Sequence, residues 1–280
     1  MRAKHTYRAG EKASGSSAAN TGPHSVLYVA LCILFGALCA QAQDTNRADR
    51  TLAQGLCAGY RSIESISCDV RKTTRMGKQT VRMLRRVFYR KPQRIHVENI
   101  SPMKRRIIVD GARLYYHEQD APRGFSRPLQ DLSAQWRDSI DDVPATPIKH
   151  LLPLEDVPEQ SLPSTPEAPV RAAYHTEKVT VVLACDATGR LARVQFFRSP
   201  AMTTMIARYE YSNFVRAGKD VWIPCLHKGC IRLPDSEEVT ETRRIDNLHV
   251  NEPLADSLFD PGKFFGNIEF SDDFGKTYQP

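Results

Sequence analysis

The chain has 280 residues, of which 41% are hydrophobic and 25% charged, and its formal net charge is +7. This composition is that of a globular protein rather than of a disordered chain. The length suits one large domain or two small ones. The positive charge favours an anionic partner.

The N-terminus has the pattern of a secretory signal. Four basic residues, Arg2, Lys4, Arg8 and Lys12, precede an apolar run from Val26 to Ala40 and the tripeptide Ala40-Gln41-Ala42. The run is shorter than the roughly 20 residues of a membrane span, and small residues before the exit are typical of a cleavage site. We predict a signal peptide over residues 1–42, cleaved after Ala42. An N-terminally anchored form is the alternative.

Five cysteines follow the predicted cleavage site: Cys57, Cys68, Cys185, Cys225 and Cys230. An exported chain meets an oxidising compartment, where disulfides are stable. The number is odd, so at least one thiol is free or paired with another molecule. The candidate pairs are Cys57–Cys68 and Cys225–Cys230, although spacing alone proves neither.

The first half of the chain predicts a helix followed by strands. Leu52, Leu56, Tyr60 and Ile63 recur at helical spacing within Thr51–Ile63. Segments rich in Val, Ile and Tyr then predict strands, with a turn at Asp110-Gly111 between the last two. They are Val81–Arg90, Arg94–Asn99, Arg106–Asp110 and Arg113–Glu118.

The middle of the chain changes character. Leu129, Leu132, Trp136 and Ile140 are spaced as one face of an amphipathic helix. A short helix, IKHLL, begins at Ile148, and Pro153 is expected to end it. Five prolines within residues 153–170 then predict a mobile loop.

Strands resume after residue 170, and their order decides the predicted fold. Hairpins are expected over 178–198 and 205–233, a last long strand over 238–250, and a polar tail over 266–280. Successive hairpins with helices inserted as a group predict an α+β protein with one large, curved antiparallel sheet covered on one face.

Three stretches resemble one known family. VFYRKPQRIHVE (87–98), IIVDGARLYYH (107–117) and RRIDNLHVNEPLADSLFDP (243–261) resemble the periplasmic outer-membrane lipoprotein carriers and lipoprotein-sorting proteins of the LolA-like superfamily. The likeness runs from Thr51 to Phe264, and it is the order of these motifs after an export signal that gives it specificity.

The resemblance implies an unclosed, strongly curved half-barrel over residues 43–265, with a helical lid over its concave face. It also implies a periplasmic carrier that holds acyl chains for transfer toward the outer membrane. Its partners would be lipoprotein acyl chains or lipid, an inner-membrane lipoprotein-releasing transporter and an outer-membrane acceptor. The basic residue before Pro92 tethers the lid in this family; here it is Lys91, where carriers usually have Arg.

The candidate lipid-binding residues combine this resemblance with the strand alternation. Val87 and Tyr89 share one face of a strand, and Ile95 holds the position that the family places at the cavity mouth. The full set is Leu56, Tyr60, Val87, Tyr89, Ile95, Val97, Leu129, Leu132, Trp136, Ile148, Leu151 and Leu152.

A basic block, Arg71–Arg106, contains thirteen basic residues and one acid, Glu98. We interpret it as the solvated outer face of the strands, apolar inward and basic outward. Contact with an anionic membrane surface is the alternative. Nucleic acid is disfavoured, because the chain is exported and has no RNA-binding signature.

The sequence predicts no cofactor, no metal site and no enzyme activity. Cys225 and His227 share a strand face, but a zinc site needs four ligands with paired spacing. Two further hypotheses remain open beside the carrier. One is an envelope lipid sensor or a regulatory domain of the same fold that binds a protein such as an anti-sigma factor. The other is a thiol-dependent enzyme that uses Cys225 or an unpaired cysteine.

Overall fold

The described residues form one mixed sheet of 14 strands in a computed structural model that describes residues 50–133, 143–219, 221–234 and 237–278. The strands are β1 Ser65–Met76, β2 Gln79–Arg90, β3 Arg94–Ser101, β4 Arg105–Asp110, β5 Arg113–Glu118, β6 Gly124–Pro128, β7 Glu159–Ser161, β8 Val170–His175, β9 Thr180–Cys185, β10 Leu191–Phe197, β11 Met205–Arg216, β12 Trp222–Arg232, β13 Glu238–Val250 and β14 Phe270–Ser271. The predicted signal peptide, 1–42, lies outside the described residues.

The strand order is β14-β6-β5-β4-β3-β2-β1-β13-β12-β11-β10-β9-β8-β7, so the sheet is open at β14 and β7. Its pairs are antiparallel except β14–β6. The β13 strand returns to pair with β1 over its whole length, and this joins the two runs of hairpins. The prediction of an α+β fold built on a single large, curved and unclosed antiparallel sheet is confirmed.

Within the described residues, two α-helices accompany the sheet: α1, Leu52–Arg61, and α2, Pro261–Phe265. The α1 N-terminus is closed by a capping box, because the Thr51 hydroxyl accepts from the Gln54 amide N–H and the Gln54 side chain accepts from the Thr51 N–H. The predicted apolar face is right at Tyr60 and Ile63, which are buried, and wrong at Leu52 and Leu56. Ala53, Cys57 and Tyr60 are buried, whereas Leu52 and Leu56 are only half-buried.

The correction has a steric reason. The Ala53 N–H donates to the Tyr174 hydroxyl at 2.9 Å, so small side chains let the helix lie directly on the sheet. A Cβ on Gly59 would already stand 3.4 Å from Val221 Cγ2. The close approach of the helix backbone to Tyr174 therefore favours a small side chain at Ala53 on the buried face.

The middle segment differs from its prediction. Leu129–Asp131 is a single 3-10 turn, and Leu132 is extended (φ −75°, ψ 149°), so the predicted α-helix does not begin at Leu129. The Leu129 N–H donates to the Ala112 carbonyl at 2.9 Å, which holds this segment to the sheet edge. Trp136 and Ile140 lie outside the described residues.

The residues from 148 onward are also more regular than expected. The predicted IKHLL helix consists of two 3-10 turns, Ile148–His150 and Leu152–Leu154. Pro153 lies in the first turn of the second one, where a missing N–H costs nothing, so it does not end the helix. The expected loop 153–170 contributes β7 as an edge strand on β8.

The C-terminal segment covers part of the sheet surface opposite to α1. Phe264 and Phe265 of α2 pack on His96 and Tyr115, with ring centroids 4.6 and 6.4 Å apart. The expected loose tail instead adds β14 beside β6 and a 3-10 turn at Phe274–Tyr278. Phe270 packs on Tyr115 and Phe274 packs on Phe125, and a purely polar tail would lack these contacts with the sheet.

Candidate functional site: the inner face of the sheet and its lid

The sheet surface that α1 contacts is called here the inner face, and the opposite surface the outer face. Strand register aligns five apolar side chains across the inner face of β1 to β5: Ile66, Tyr89, Ile95, Val109 and Leu114. All five are buried. This set of five side chains is called the apolar row.

The structure places the predicted lipid-binding residues in three groups. Those that are buried are Tyr60, Val87, Tyr89, Ile95, Leu132, Ile148 and Leu151. Those that are half-buried are Leu56, Val97, Leu129 and Leu152. Trp136 lies outside the described residues.

Register brings two predicted pairs together on the inner face: Val87 lies opposite Val97, and Tyr89 lies opposite Ile95. Three members of the apolar row, Ile66, Val109 and Leu114, were missed. Alternation in SISCDV and RLYYH gave the signal for Ile66 and Leu114, but it could not say which alternate face is the inner one.

Two segments, α1 and residues 148–154, form the lid as defined here. Both contact the β8–β12 half of the inner face. The His150 ring lies 4.4 Å from that of Tyr209 and 5.7 Å from that of Phe196. The Arg61 guanidinium and the Glu155 carboxylate form a two-pronged ion pair, with both N–O distances 2.6 Å.

Lys91 joins the lid to the other half of the sheet. Its Nζ donates to the Arg61 carbonyl, in the last turn of α1, and lies 3.3 Å from Glu64 Oε1. The Lys91 N–H also donates to the Glu64 carbonyl at 2.9 Å. A cation at a helix C-terminus meets the negative end of the helix dipole. The β2–β3 turn therefore holds the end of α1 through a single charged side chain.

The inner face is not uniformly apolar, which corrects the expectation that the basic block points outward. Lys72 and Arg85 occupy inner-face positions on β1 and β2, since Lys72 lies opposite Arg243 and Arg85 lies opposite Val70. Glu241 is shared between two cations, 2.5 Å from Lys72 Nζ and 3.2 Å from Arg243.

Electrostatics in this region follow from burial and from the cations. Burial alone would raise the pKa of Glu241, but Lys72 and Arg243 lower it to about 2. Burial, aided by Arg243, lowers the pKa of His227 to about 3. Burial and the neighbouring Lys149 lower the pKa of His150 as well. Both histidines are therefore neutral at pH 7, while Glu241 is ionised.

Other basic residues of the block do lie on the outer face, where acids partner several of them. Arg71 pairs with Asp246 at 2.8 Å, Arg86 with Asp69 at 3.1 Å. Arg106 lies 2.6 Å from Glu98. These partly solvated pairs fit the interpretation of this part of the basic block as a solvated outer face.

The cysteines do not support the second predicted disulfide. Cys225 and Cys230 lie on the same strand, β12, five residues and therefore about 16 Å apart, which a disulfide cannot bridge. All five cysteines are free thiols, so the Cys57–Cys68 bond is also absent.

The thiols lie in environments that disfavour the thiolate. Burial raises the pKa of Cys57, Cys68 and Cys185 to about 12. It also raises the pKa values of Cys225 and Cys230. A reactive cysteine needs a lowered pKa, so none of these thiols has the setting of a nucleophile.

The described ranges contain no group of three or more His, Cys, Asp or Glu side chains placed to hold a metal ion. None of the helices in the described part of the chain is both long enough and apolar enough to cross a membrane.

No family model matches the chain, and no curated protein matches it. Among solved structures, a LolA superfamily protein from Nitrosomonas europaea is 15% identical with a TM-score of 0.47, and the match covers 76% of this chain and 98% of that one. A domain described as an outer membrane lipoprotein-sorting protein, from Vibrio parahaemolyticus, is 9% identical with a TM-score of 0.47, covering 75% and 94%.

A third match is the MucA/MucB complex of Pseudomonas aeruginosa, 10% identical with a TM-score of 0.22, covering 72% of this chain and 98% of that one. The superfamily that the sequence resembles is thus found among the similar structures. At these identities the likeness concerns the fold alone.

Proposed function

We propose that the protein is exported to the periplasm, binds the acyl chains of a lipid or lipoprotein against its inner face, and carries them toward the outer membrane. The observation that supports this most strongly is the apolar row, which crosses five neighbouring strands without a polar interruption.

The dimensions of the apolar row suit one acyl chain. Four steps between neighbouring strands of about 4.8 Å each give roughly 19 Å. One leaflet of a bilayer has a hydrocarbon depth of about 15 Å, half of the 30 Å core. An acyl chain laid along the row would gain about 0.8 kcal/mol for each CH₂ group removed from water.

Lys91 is the proposed lid tether. Lys91 contacts the Arg61 carbonyl, in the last turn of α1, and Glu64, which follows the helix. A ligand that enters beneath the lid would have to break or stretch these contacts. The tether would thereby contribute to the free-energy difference between a closed lid and an open one.

The proposed partners follow from the carrier role. An inner-membrane lipoprotein-releasing transporter would load the protein, and an outer-membrane acceptor would unload it. The exposed outer-face cations of the basic block would favour approach to an anionic membrane surface at about 1 kcal/mol for each basic residue near it.

Binding of a fluorescent fatty acid to the purified protein tests the proposal. Ile95→Glu places a charge in the apolar row and should abolish probe binding. Met103→Glu is the matched control, because Met103 is 56% exposed in the turn that follows β3. It should leave binding unchanged, and circular dichroism establishes that both variants are folded.

Equal binding by both variants would contradict the assigned site. Absence of probe binding by the unaltered protein, together with capture of a stable protein partner, would favour the regulatory domain over the carrier.

A further inference from the structure

The apolar row has a neighbouring row on the same face of the sheet. Because side chains on one face recur at every second position of a strand, the residues two positions from the apolar row also face inward. Register aligns them across β1 to β6. They are called the second row: Cys68, Val87, Val97, Ile107, Tyr116 and Phe125. The two rows lie about 7 Å apart, so an acyl chain on the inner face would contact both.

Burial changes along the second row. Val97 and Ile107, in its middle, are half-buried, whereas Tyr116 and Phe125, at its β6 end, are each only 6% exposed. Phe274 contributes to the burial of this end, since its ring centroid lies 5.5 Å from that of Tyr116 and 5.5 Å from that of Phe125. The second row is therefore partly accessible in its middle and covered at its β6 end.

The C-terminal segment reaches this position by crossing the edge of the sheet at β6. Before the crossing, Phe265 and Phe270 pack on Tyr115, on the outer face, with ring centroids 6.4 and 5.5 Å away. After the crossing, Phe274 packs on Tyr116, which points to the inner face because neighbouring residues of a strand point to opposite faces. The segment thus encloses this edge of the sheet from both sides.

Contacts at the edge fix the position of the C-terminal segment. The Gly124 N–H donates to the Glu269 carbonyl at 2.8 Å. A Cβ on Gly124 would stand 2.4 Å from the Phe270 ring, so this close approach requires glycine. Arg127 continues the apolar row onto β6, and its guanidinium donates to the Asp272 carbonyl at 2.6 Å. Both rows therefore end at β6 against the C-terminal segment.

Resting on the function proposed above, we infer that Phe274 is a chain-length stop, which ends the space for an acyl chain at the β6 end of the inner face. The stop covers one to two strand spacings of about 4.8 Å each. An extended chain advances about 1.2 Å for each bond, so the covered stretch corresponds to about four to eight carbons. The ligand class is thus an acyl chain of limited length.

Displacement of the fluorescent fatty acid by a homologous series of saturated fatty acids tests the stop. Each acid is used below its critical micelle concentration. For the unaltered protein, affinity should rise about fourfold for each CH₂ group, equivalent to about 0.8 kcal/mol, and should level off at a length limit where the chain reaches Phe274. Phe274→Ala should move the length limit to chains about four to eight carbons longer.

Phe88→Ala is the matched control. It removes the same type of side chain from the outer face of β2, where Phe88 packs on His96, and should leave the length limit unchanged. Phe274→Trp keeps a large ring at the stop and should not lengthen the limit. Thermal unfolding shows whether all three variants are folded.

The outcomes separate the stop from the proposed function. The stop would be overturned, with acyl-chain binding intact, by an unchanged limit in Phe274→Ala, by an equal shift in Phe88→Ala or by a longer limit in Phe274→Trp. An affinity that rises through the whole series in the unaltered protein would overturn it too. If the unaltered protein binds no fatty acid, the proposed function is overturned, and the stop with it.

Discussion

At the scale of single residues, the inner face shows that burial, not charge type, decides what a basic side chain does. Arg71 and Lys72 are neighbours in sequence, yet Arg71 pairs with Asp246 on the outer face and Lys72 pairs with Glu241 on the inner one. The sequence contained the alternation, but a run of basic residues gives no sign of which members point inward. The basic block was therefore assigned wholly to the outer face.

Glu241→Gln should destabilise the protein, because it leaves Lys72 and Arg243 half-buried without their shared counter-ion. We expect a loss of about 1–3 kcal/mol in the free energy of unfolding at pH 7, measured by urea titration. Glu210→Gln is the control. Glu210 is 40% exposed on β11, so its loss should cost under about 0.5 kcal/mol.

The ion pairs that Glu241 forms with Lys72 and Arg243 have a defined pH dependence. The pKa of Glu241 is lowered to about 2 in the folded protein from its usual 4.5. Its stabilising contribution is therefore present above about pH 4.5 and is lost as the pH falls toward 2. The stability difference between the native protein and Glu241→Gln should shrink over that window. A difference that stays constant down to pH 2 would rule out the ion pairs as its source.

His96→Leu should reduce the acid sensitivity of the fold. His96 is 2% exposed between Phe88 and Phe264, and burial, aided by Arg106 and opposed by Glu98, lowers its pKa to about 4. The unfolded chain binds this proton near pH 6.5, whereas the folded one does not, so stability falls as the pH drops from 6.5 toward 4. Between pH 7 and 5 the loss is about 2 kcal/mol.

Urea titrations at pH 7 and pH 5 measure this loss in the native protein, in His96→Leu and in His249→Leu. The His249 side chain is 53% exposed, and its substitution should leave the loss unchanged. If His96→Leu and the native protein lose equal stability between the two pH values, His96 is not kept neutral by the fold.

At the scale of elements, the contacts that hold α1 were partly foreseeable. Thr51 and Gln54 form the capping box that their spacing permits, and Lys91 lies where the resemblance places a tether. The burial of Ala53 and Cys57 was not foreseeable, because it follows from the close approach of α1 to Tyr174 and not from the hydrophobicity of these two residues.

Lys91→Met should loosen the C-terminal end of α1. Loss of the contacts to Arg61 and Glu64 should cost about 1 kcal/mol and speed amide exchange in the last turn of α1, at Tyr60 to Ser62. Lys91→Arg keeps the charge and should retain most of the protection. Lys104→Met, at an exposed turn position, is the control. Unchanged exchange in Lys91→Met would remove Lys91 from the role of tether.

The C-terminal segment offers a second test at this scale. Phe265→Ala removes a side chain that is 5% exposed beneath Tyr115 and Phe270, and it should cost about 3–5 kcal/mol. Phe274→Ala removes one that is 45% exposed and should cost clearly less. Equal costs, measured by thermal unfolding, would show that α2 does not depend on its outer-face packing.

At the scale of the whole molecule, the fold class was predictable because hairpins are local. The Asp110-Gly111 turn, for example, forms as expected, with Gly111 at φ 101° and Asp110 Oδ1 accepting from the N–H groups of Ala112 and Arg113. The pairing of β1 with β13 is not local and has no signal in either strand alone. The prediction of a Cys225–Cys230 bond was wrong for a related reason. The two cysteines are close in sequence, but both lie on one extended strand, which holds them far apart in space.

Only some of the inner-face residues could be predicted from the sequence. Val87, Tyr89 and Ile95 were found from alternation and resemblance, and all three lie buried on the inner face. The inner-face charges Lys72, Arg85 and Arg243 were missed because they come from β1, β2 and β13, and only the folded register brings them together.

The most direct test of the central claim is native mass spectrometry of the protein, expressed from its full coding sequence in a bacterium with two membranes and purified from an envelope extract, followed by lipid extraction. A carrier of acyl chains should appear with a bound acylated species, and that species should be absent from Ile95→Glu and present on Met103→Glu. A native protein that is empty in every preparation, while remaining folded, would contradict the claim that the inner face is a lipid-binding site.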